Sequence, residues 1–251
     1  MSFWHNKVAL VTGGSKGLGL AIARALVAVG AHVVITARNQ ESLAAAAVAL
    51  SSSDRKCGWL PADVMQQDQV DAIVAEVIQI HGRLDLLVNC AGKSDRGEVG
   101  AISAEQFREL IDLNFLSAVR ATRAALPHLL KSRGHVVHIG SLAAKTASRY
   151  LGAYPASKFP LTAYSQQLRL ELGPQGLHSL LVCPGPIRRD DAGDRYDLQA
   201  GDLPAEARHR ILQLGAERDC PDRYDRRDNK QSDRGQWRRH EYCHQVGPGR
   251  Q

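Results

Sequence analysis

The sequence predicts a single α/β domain built on a doubly wound parallel sheet. Two observations lead to this prediction. Short apolar runs alternate with longer segments of helical periodicity along most of the chain, a pattern typical of parallel strands joined by crossover helices. With 251 residues, 44% of them hydrophobic, the chain is also long enough to bury one large core. Ligands bind such sheets beyond the carboxyl ends of the strands, so the residues there are the first candidates for a site.

Six strands are predicted from apolar runs bounded by glycine or polar residues. In chain order they are Val8–Val11, Val33–Thr36, Gly58–Leu60, Leu84–Asn89, His135–Gly140 and Leu180–Cys183. Gly13, Asn89, Ser141 and Pro184 fall at or just after the ends of these strands. The pattern therefore predicts that these four residues gather along one edge of the sheet.

Five helices are predicted between the strands from apolar residues repeating with helical period. They are Leu18–Val29, Glu41–Leu50, Gln67–His81, Ala104–Ser132 and Ala156–Leu172. Gln67–His81 has the clearest stripe, with apolar residues at i, i+3, i+4, i+7 and i+8, as expected of a helix that packs against the core.

Beyond Leu214 this patterning stops. Residues 215–251 contain no Leu, Ile, Met or Phe, and sixteen of these thirty-seven residues are Asp, Glu, Lys or Arg. Such a segment cannot bury enough apolar surface to offset its ordering entropy. We therefore predict a domain over residues 1–214, ending in a helix at Leu203–Leu214, and a mostly disordered tail over 215–251.

Several function classes are disfavoured by composition. The net charge is +6, but acidic and basic residues alternate and no basic run is interleaved with aromatic residues, so nucleic-acid binding is not expected. No apolar stretch is long enough to span a bilayer, and the first residues leave no room for a signal-peptide core. The five cysteines are odd in number and scattered, which favours a cytoplasmic protein with reduced thiols.

One cluster near the end raises the question of a metal site. His240-Glu241-Tyr242-Cys243-His244 gathers potential ligands, with Cys220 upstream. Zinc sites need paired ligands at set spacings, and only one such cluster exists, so no metal is predicted.

A chemical constellation is formed by Tyr154, Lys158 and Ser141. Tyr154 and Lys158 are four residues apart, which places both on one helix face, and Ser141 lies thirteen residues upstream of Tyr154. A phenol beside a fixed cation loses its proton more easily, because the charge stabilises the phenolate. The combination suits proton exchange with a carbonyl or alcohol oxygen. On its own a Tyr-x-x-x-Lys pair is weak, since a solvated helix face produces it as well.

The first turn supplies a second motif. It follows a predicted strand and opens a predicted helix, the context in which glycines let the backbone approach a pyrophosphate at a helix N-terminus. The turn comprises Thr12, Gly13, Gly14, Ser15, Lys16, Gly17, Leu18 and Gly19.

Taken together, these motifs resemble those of the short-chain dehydrogenases/reductases, a family with a Rossmann-type fold, from Val8 to about Gly185. The matching residues, in family order, are Thr12, Gly13, Gly17 and Gly19; Asp63 and Val64; Asn89, Cys90, Ala91 and Gly92; Asn114; Ser141, Tyr154 and Lys158; and Pro184 and Gly185. The resemblance implies an oxidoreductase that transfers a hydride between a nicotinamide dinucleotide and a small-molecule carbonyl or secondary alcohol.

The resemblance also implies catalytic roles. Tyr154 is expected to be the general acid in reduction and the base in oxidation, while Lys158 holds the nicotinamide ribose. Ser141 is expected to hydrogen-bond the substrate oxygen. Asn114 is expected to hold a water that links the lysine to solvent.

Further residues are expected to contact the cofactor. They are Gly13, Ser15, Lys16, Gly17, Leu18 and Gly19 at the pyrophosphate; Asp63 and Val64 at the adenine; Asn89, Ala91 and Gly92 under the ribose; and Pro184, Gly185 and Ile187 at the nicotinamide, with Tyr154 and Lys158. An acidic residue ending strand two would favour NAD, whereas this chain offers Arg38 there and Lys16 in the turn. Two cations favour NADP(H), with NAD(H) as the alternative.

The chain departs from the family pattern near its end. Family members commonly carry a threonine soon after the Pro184-Gly185 pair and a final apolar strand, and neither is found here. The alternative is therefore a catalytically silent dinucleotide-binding protein, or the inactive product of a gene whose end is altered, for example by a frameshift. The family commonly dimerises through helices corresponding to Ala104–Ser132 and Ala156–Leu172. A homodimer is thus expected, whereas a tetramer is not, because the final strand commonly supports a subunit interface in the family.

Overall fold

The computed structural model describes residues 2–51, 57–185 and 187. Over this part of the chain, six parallel strands form one sheet in the order β3-β2-β1-β4-β5-β6. The strands are β1 Val8–Thr12, β2 His32–Ala37, β3 Gly58–Pro61, β4 Leu86–Asn89, β5 His135–Ile139 and β6 His178–Val182. This is the strand order of a doubly wound Rossmann-type sheet, and it confirms the predicted fold class.

Six α-helices accompany the sheet in the described residues. They are α1 Gly17–Ala28, α2 Gln40–Leu50, α3 Gln67–His81, α4 Ala104–Ile111, α5 Ser117–Ser132 and α6 Tyr154–Leu172. The predictions for α2 and α3 agree closely with these bounds. The helix predicted at Ala156 begins two residues earlier, at Tyr154, with Pro155 in its first turn, where the missing N–H costs little.

The prediction of one continuous helix over Ala104–Ser132 was wrong. A turn of π-helix at Asp112–Leu116 separates α4 from α5, and there the Ser117 N–H bonds the Asp112 carbonyl, five residues back. The Leu113 carbonyl thereby loses its usual partner and accepts the Ser117 hydroxyl instead. The extra residue shifts the register of the side chains on this segment, as π turns do, and the turn carries Asn114.

The sheet is covered on both faces. All five residues of β1 are buried, and successive ones alternate between two apolar clusters. Val8 and Leu10 pack with residues of α3 and α5, while Ala9 and Val11 pack with residues of α1 and α2. Because apolar helices cover both sides, the central strands are continuous apolar runs.

The register of the sheet aligns those ends. Thr12 of β1 pairs with Thr36 of β2 on one side and Asn89 of β4 on the other. Asn89 pairs in turn with His138 of β5. The loops that follow β1, β2, β4 and β5 therefore start from one row, which is the edge where a doubly wound sheet binds ligands.

Some predictions fall outside the described residues. These are the helix at Leu203–Leu214, the boundary at Leu214, the tail 215–251, Cys220 and the cluster 240–244. Within the described residues, no strand follows β6. In the same part of the chain no helix is long and apolar enough to cross a membrane, and no group of three His, Cys, Asp or Glu side chains could hold a metal ion.

Candidate active site

The glycine turn after β1 has no room for side chains at three of its positions, Gly13, Gly14 and Gly19. Gly13 has φ +68°, and a Cβ there would lie 2.9 Å from the Ala91 backbone. Gly17 has φ +55° with open space around it, so its backbone conformation is what requires glycine. A Cβ at Gly19 would collide with the carbonyl oxygen of Gly13. The turn thus forms a backbone cradle, with Ser15 half-buried and Leu18 beside it at the start of α1.

Replacing Gly19 with alanine is expected to distort this cradle. The new methyl group meets backbone atoms that cannot rotate away, and such overpacking costs about 1–3 kcal/mol. For a domain of this size, each kcal/mol lowers Tm by roughly 2–4 °C. Thermal unfolding of the apo protein measures the effect. Gly173→Ala is the matched control, because a Cβ at Gly173 meets nothing within 4 Å; equal Tm values for the two variants would contradict the packing argument.

Thr12 joins the first turn to the loop after β4, a role that sequence reasoning did not assign to it. Its hydroxyl accepts hydrogen bonds from the N–H groups of Cys90 at 3.0 Å and Ala91 at 3.2 Å, and it donates to the Val88 carbonyl at 3.4 Å. Thr12 is buried. A threonine as the last residue of an apolar strand was the available signal.

The predicted phosphate-binding cations follow β1 and β2. Lys16 and Arg38 are both exposed, and among the described residues neither forms an ion pair. Asn39, next to Arg38, caps α2 by accepting a hydrogen bond from Ser42 N at 2.7 Å. A carboxylate does lie nearby on α4: the Lys93 ammonium, and more weakly Arg38, lowers the pKa of Glu109. Both candidate cations are therefore free to meet an anion.

The residues predicted for the adenine end form a tight turn after β3. The Asp63 carboxylate accepts a hydrogen bond from Met65 N at 3.0 Å, and Asp63 N donates to the Gln69 side chain at 2.8 Å. Val64 is buried at 6% exposure. Asp63 is half-buried and is therefore more accessible than Val64.

Asn89 lies at the end of β4, as predicted, but its side chain faces the interior. Its amide nitrogen donates to the Thr122 hydroxyl at 3.0 Å and lies 3.2 Å from His138 Nδ1. Burial, with a smaller effect of Lys158, lowers the pKa of His138 to about 4, so its ring is neutral at pH 7 and Nδ1 can accept this hydrogen bond. The amide nitrogen of Asn89 is therefore engaged in the interior.

Lys158 and Asn114 converge on Gly92. A Cβ at Gly92 would lie 2.6 Å from the Asn114 side-chain oxygen and 3.4 Å from Lys158 Nζ. Lys158 is only 5% exposed, and its ammonium donates to the Ile139 carbonyl at 2.9 Å. Burial lowers the pKa of Lys158 to about 8, against smaller opposing effects of Cys90 and Cys183. The structure therefore brings three predicted site residues together, with a costly buried cation at the centre.

Asn114 uses its amide for structural bonds. The side chain accepts from Lys93 N and donates to Lys93 O, both at 2.9 Å, and it also donates to the Ser157 hydroxyl at 2.9 Å. Ser157 in turn donates to the Tyr154 carbonyl at 2.7 Å. Sequence reasoning missed Ser157, a fully buried hydroxyl one residue before Lys158, whose position between the two motif residues was the only signal.

Tyr154 and Ser141 approach from neighbouring elements, and both are half-buried. Tyr154 is the first residue of α6. Ser141 follows β5, and its hydroxyl accepts from Ala143 N at 3.1 Å. Three residues further on, the Ala144 carbonyl accepts the Thr162 hydroxyl of α6 at 3.2 Å. The segment that carries Ser141 is therefore held against the helix that carries Tyr154 and Lys158.

The end of β6 completes the site. Leu142 N donates to the Pro184 carbonyl at 3.0 Å, and a Cβ at Gly185 would lie 3.5 Å from the Leu142 side chain. Ile187 is 42% exposed. The predicted nicotinamide wall is thus adjacent to the Ser141 segment, as the register of β5 and β6 requires.

Comparisons with known proteins agree with this geometry. The sequence model of a family described as short chain dehydrogenase matches residues 7–197. The chain is 36% identical over 188 residues to the ketoacyl reductase HetN of Nostoc sp., covering 74% of this chain and 66% of the relative. It is 32% identical over 217 residues to dehydrogenase/reductase SDR family member 4 of Oryctolagus cuniculus, covering 86% of this chain and 84% of that protein. This chain thus spans just under two thirds of the length of the Nostoc relative.

Solved structures show the same likeness. A short-chain type dehydrogenase/reductase from Mycobacterium ulcerans aligns with a TM-score of 0.72 at 32% identity, covering 76% of this chain and 71% of that one. The similarity therefore extends through the sheet and the helices that carry the site.

Proposed function

The chain belongs to the short-chain dehydrogenase/reductase family of oxidoreductases, and from this premise we propose that it transfers a hydride between NADP(H) and a carbonyl or secondary alcohol. In this proposal Tyr154 is the general acid and base, and Ser141, Lys158 and Asn114 complete the catalytic set. The substrate is a small molecule.

One observation carries the proposal: the convergence of Lys158 and Asn114 at Gly92, at the edge of the sheet where the glycine cradle also lies. A buried cation without a carboxylate partner among the described residues is expensive, and such groups cluster at functional sites. The cradle also fits a pyrophosphate, because a tight turn without side chains at Gly13, Gly17 and Gly19 leads directly into α1. The free N–H groups at a helix N-terminus favour an anion.

Each residue of the proposed catalytic set has a separate role in the reaction. A bound nicotinamide dinucleotide supplies or accepts the hydride. In reduction, the Tyr154 phenol donates its proton to the substrate oxygen, and in oxidation the phenolate takes that proton back. The Ser141 hydroxyl donates a hydrogen bond to the same oxygen and orients it. The Lys158 ammonium holds the ribose and stabilises the phenolate, while Asn114 holds the loop after β4 in place through Lys93.

The preference for NADP(H) rests on Arg38 and Lys16. A 2′-phosphate near the end of β2 would meet two exposed cations that form no ion pair within the described part of the chain. Asp63, Val64, Ala91 and the backbone of Asn89 would line the adenosine, and Pro184, Gly185 and Ile187 the nicotinamide.

The first test is thermal unfolding with saturating NADPH or NADH. Ligand at about a hundredfold its Kd stabilises the native state by roughly 2.7 kcal/mol. NADPH is expected to raise Tm more than NADH at equal concentration. A larger shift with NADH would contradict the NADP(H) preference, and no shift with either would contradict a functional dinucleotide site.

The Arg38→Ala variant tests the phosphate contact directly. Loss of one charge-assisted hydrogen bond costs about 1.5–3 kcal/mol, which weakens NADPH binding roughly tenfold to a hundredfold and leaves NADH binding unchanged. Isothermal titration of both dinucleotides measures the two affinities. Arg24→Ala, on the exposed surface of α1, is the control for loss of positive charge. Equal losses of affinity for NADPH and NADH would show that Arg38 does not contact the 2′-phosphate.

A silent dinucleotide-binding protein is the competing outcome, and a screen of carbonyl substrates with NADPH separates the two. Binding of the dinucleotide without turnover on any aldehyde or ketone would favour the silent protein.

We further propose a homodimer through α4, α5 and α6, a cytoplasmic location and a domain that ends near Leu214. Sedimentation, fractionation and limited proteolysis test these three statements respectively.

A further inference from the structure

The helix that carries Tyr154 and Lys158 has no cap of its own. The residue at the N-cap of α6 is Ala153, and no side chain within the helix start accepts a hydrogen bond from the first turn. Alanine is among the weakest N-cap residues, because it has no acceptor for the free N–H groups. Tyr154 N donates to the Leu151 carbonyl at 3.0 Å and Pro155 has no N–H, so it is the Ala153 N–H that needs an acceptor from elsewhere in the chain.

Asp95 supplies that acceptor from the loop after β4. Its Oδ2 accepts a hydrogen bond from Ala153 N at 3.3 Å, although the two residues are 58 positions apart. Its Oδ1 accepts from Arg96 N at 2.9 Å, which fixes the rotation of the carboxylate. A Cβ at Gly152 would lie 2.7 Å from Oδ2, so glycine is needed there for the carboxylate to reach the helix. A negative charge at this end of a helix is also favoured by the helix dipole.

The backbone near Asp95 is hydrogen-bonded to the residues that immediately precede α6. Gly97 and Leu151 form an isolated parallel β-bridge, in which Gly97 N donates to Tyr150 O at 3.2 Å and Gly152 N donates to Gly97 O at 3.1 Å. Tyr150 has φ +60°, an uncommon conformation for a residue with a side chain. The contact between the Asp95 loop and the segment before α6 is thus held by two backbone hydrogen bonds, and it is maintained although Tyr150 has a strained backbone conformation.

The other end of this loop is held by the catalytic residues. Lys93, two positions before Asp95, is bonded through its backbone to Asn114, and Gly92 lies against Lys158. The loop therefore connects the contacts around Lys158 and Asn114 to the first turn of α6. We propose that Asp95 is a positioning residue: by holding Ala153 it fixes the first turn of α6, and with it the Tyr154 phenol, relative to Lys158 and the dinucleotide cradle.

This proposal rests on the proposed function for its catalytic consequence, but its structural part can be measured without turnover. Amide hydrogen exchange is compared over residues 151–158 in the wild type, Asp95→Ala and Asp95→Asn. The asparagine keeps an acceptor oxygen and loses the charge. Glu171→Ala removes an exposed carboxylate from the far end of the same helix and is the matched control.

In Asp95→Ala, exchange in the first turn of α6 is expected to rise at least tenfold, because the Ala153 N–H loses its partner. With a carbonyl substrate found in the screen, kcat is expected to fall tenfold to a hundredfold while the NADPH Kd stays within twofold. Asp95→Asn is expected to restore most of the protection and most of kcat, and Glu171→Ala to match the wild type.

Three results would overturn the proposal: unchanged exchange in Asp95→Ala, an NADPH affinity that falls in step with kcat, or an asparagine variant as impaired as the alanine variant. If the alanine variant does not fold, the asparagine variant carries the test, with near-wild-type exchange and kcat supporting the proposal and alanine-like loss overturning it. Failure of the proposed function looks different. The wild type would then bind dinucleotide without turnover, and the exchange data would still decide whether Asp95 holds α6.

Discussion

Replacing Tyr154 with phenylalanine is expected to lower kcat by about 10²–10⁴-fold, the range that general acid–base catalysis contributes. The substitution removes one oxygen and leaves the ring, so the packing at the start of α6 and the position of Lys158 should be preserved. The Kd for NADPH is therefore expected to change by less than about twofold, since little cofactor binding depends on that hydroxyl. Steady-state kinetics and isothermal titration on the same preparation measure both quantities.

Tyr164→Phe is the matched control for this variant. Tyr164 lies on the same helix, where burial raises its pKa, and it packs against Phe115 and His138 at ring distances of 6.0 and 5.5 Å. Removing the Tyr164 hydroxyl should leave kcat near the wild-type value, because Tyr164 is not part of the proposed catalytic set. Full activity of Tyr154→Phe would refute the assignment of the general acid. An equal loss in both variants would instead indicate damage to α6.

Lys158→Met is expected to stabilise the dinucleotide-free protein while abolishing turnover. Burial lowers the pKa of Lys158 from 10.5 to about 8, which corresponds to a penalty of roughly 3 kcal/mol for keeping the charged form in the folded state. Methionine fills a similar volume without charge, but it leaves the Ile139 carbonyl without its ammonium donor, which costs about 1 kcal/mol. The net gain at pH 7 is then about 1–2 kcal/mol in the free energy of unfolding.

The pH dependence of this stability gain tests whether the buried charge of Lys158 is its cause. The pKa is lower in the folded state than in the unfolded state, so the penalty is fully present below about pH 8 and disappears as pH rises towards 10.5. The stability advantage of Lys158→Met should therefore shrink between pH 8 and 10.5 in chemical denaturation. Lys131→Met, at an exposed position near the end of α5, should change stability by less than about 0.5 kcal/mol at each pH. A gain that is independent of pH would contradict the account.

Much of the fold follows from patterns that are local in the chain. The central strands of this sheet are continuous apolar runs because both faces are covered there. The glycines after β1 mark a turn in which Gly13 and Gly17 have positive φ and Gly19 admits no Cβ. These features are visible one segment at a time. For that reason the fold class, the family resemblance and the placement of Gly13, Asn89 and Ser141 near one edge of the sheet could be predicted.

The errors occurred where distant segments decide local structure. The helix predicted from Ala104 to Ser132 is interrupted at Asp112–Leu116, where the amide of Asn114 is held by both backbone groups of Lys93. The segments on both sides of the break, α4 and α5, are helical, so from the sequence they were interpreted as one helix. The start of α6 was predicted two residues late, because Ala153 carries no capping signal and the acceptor comes from Asp95.

The sequence by itself determined the parallel sheet, the glycine cradle, the residue types of the proposed catalytic set and the exposed cations that we propose meet a phosphate. Only the tertiary structure decided which way those side chains face and what holds them. It turned the Asn89 amide into the interior towards His138, placed Asn114 and Ser157 in one hydrogen-bonded chain, and buried the Lys158 ammonium. The physical reason is that periodicity and turn chemistry are properties of neighbouring residues, whereas burial, capping and hydrogen-bond partners depend on residues that folding brings together from distant parts of the chain.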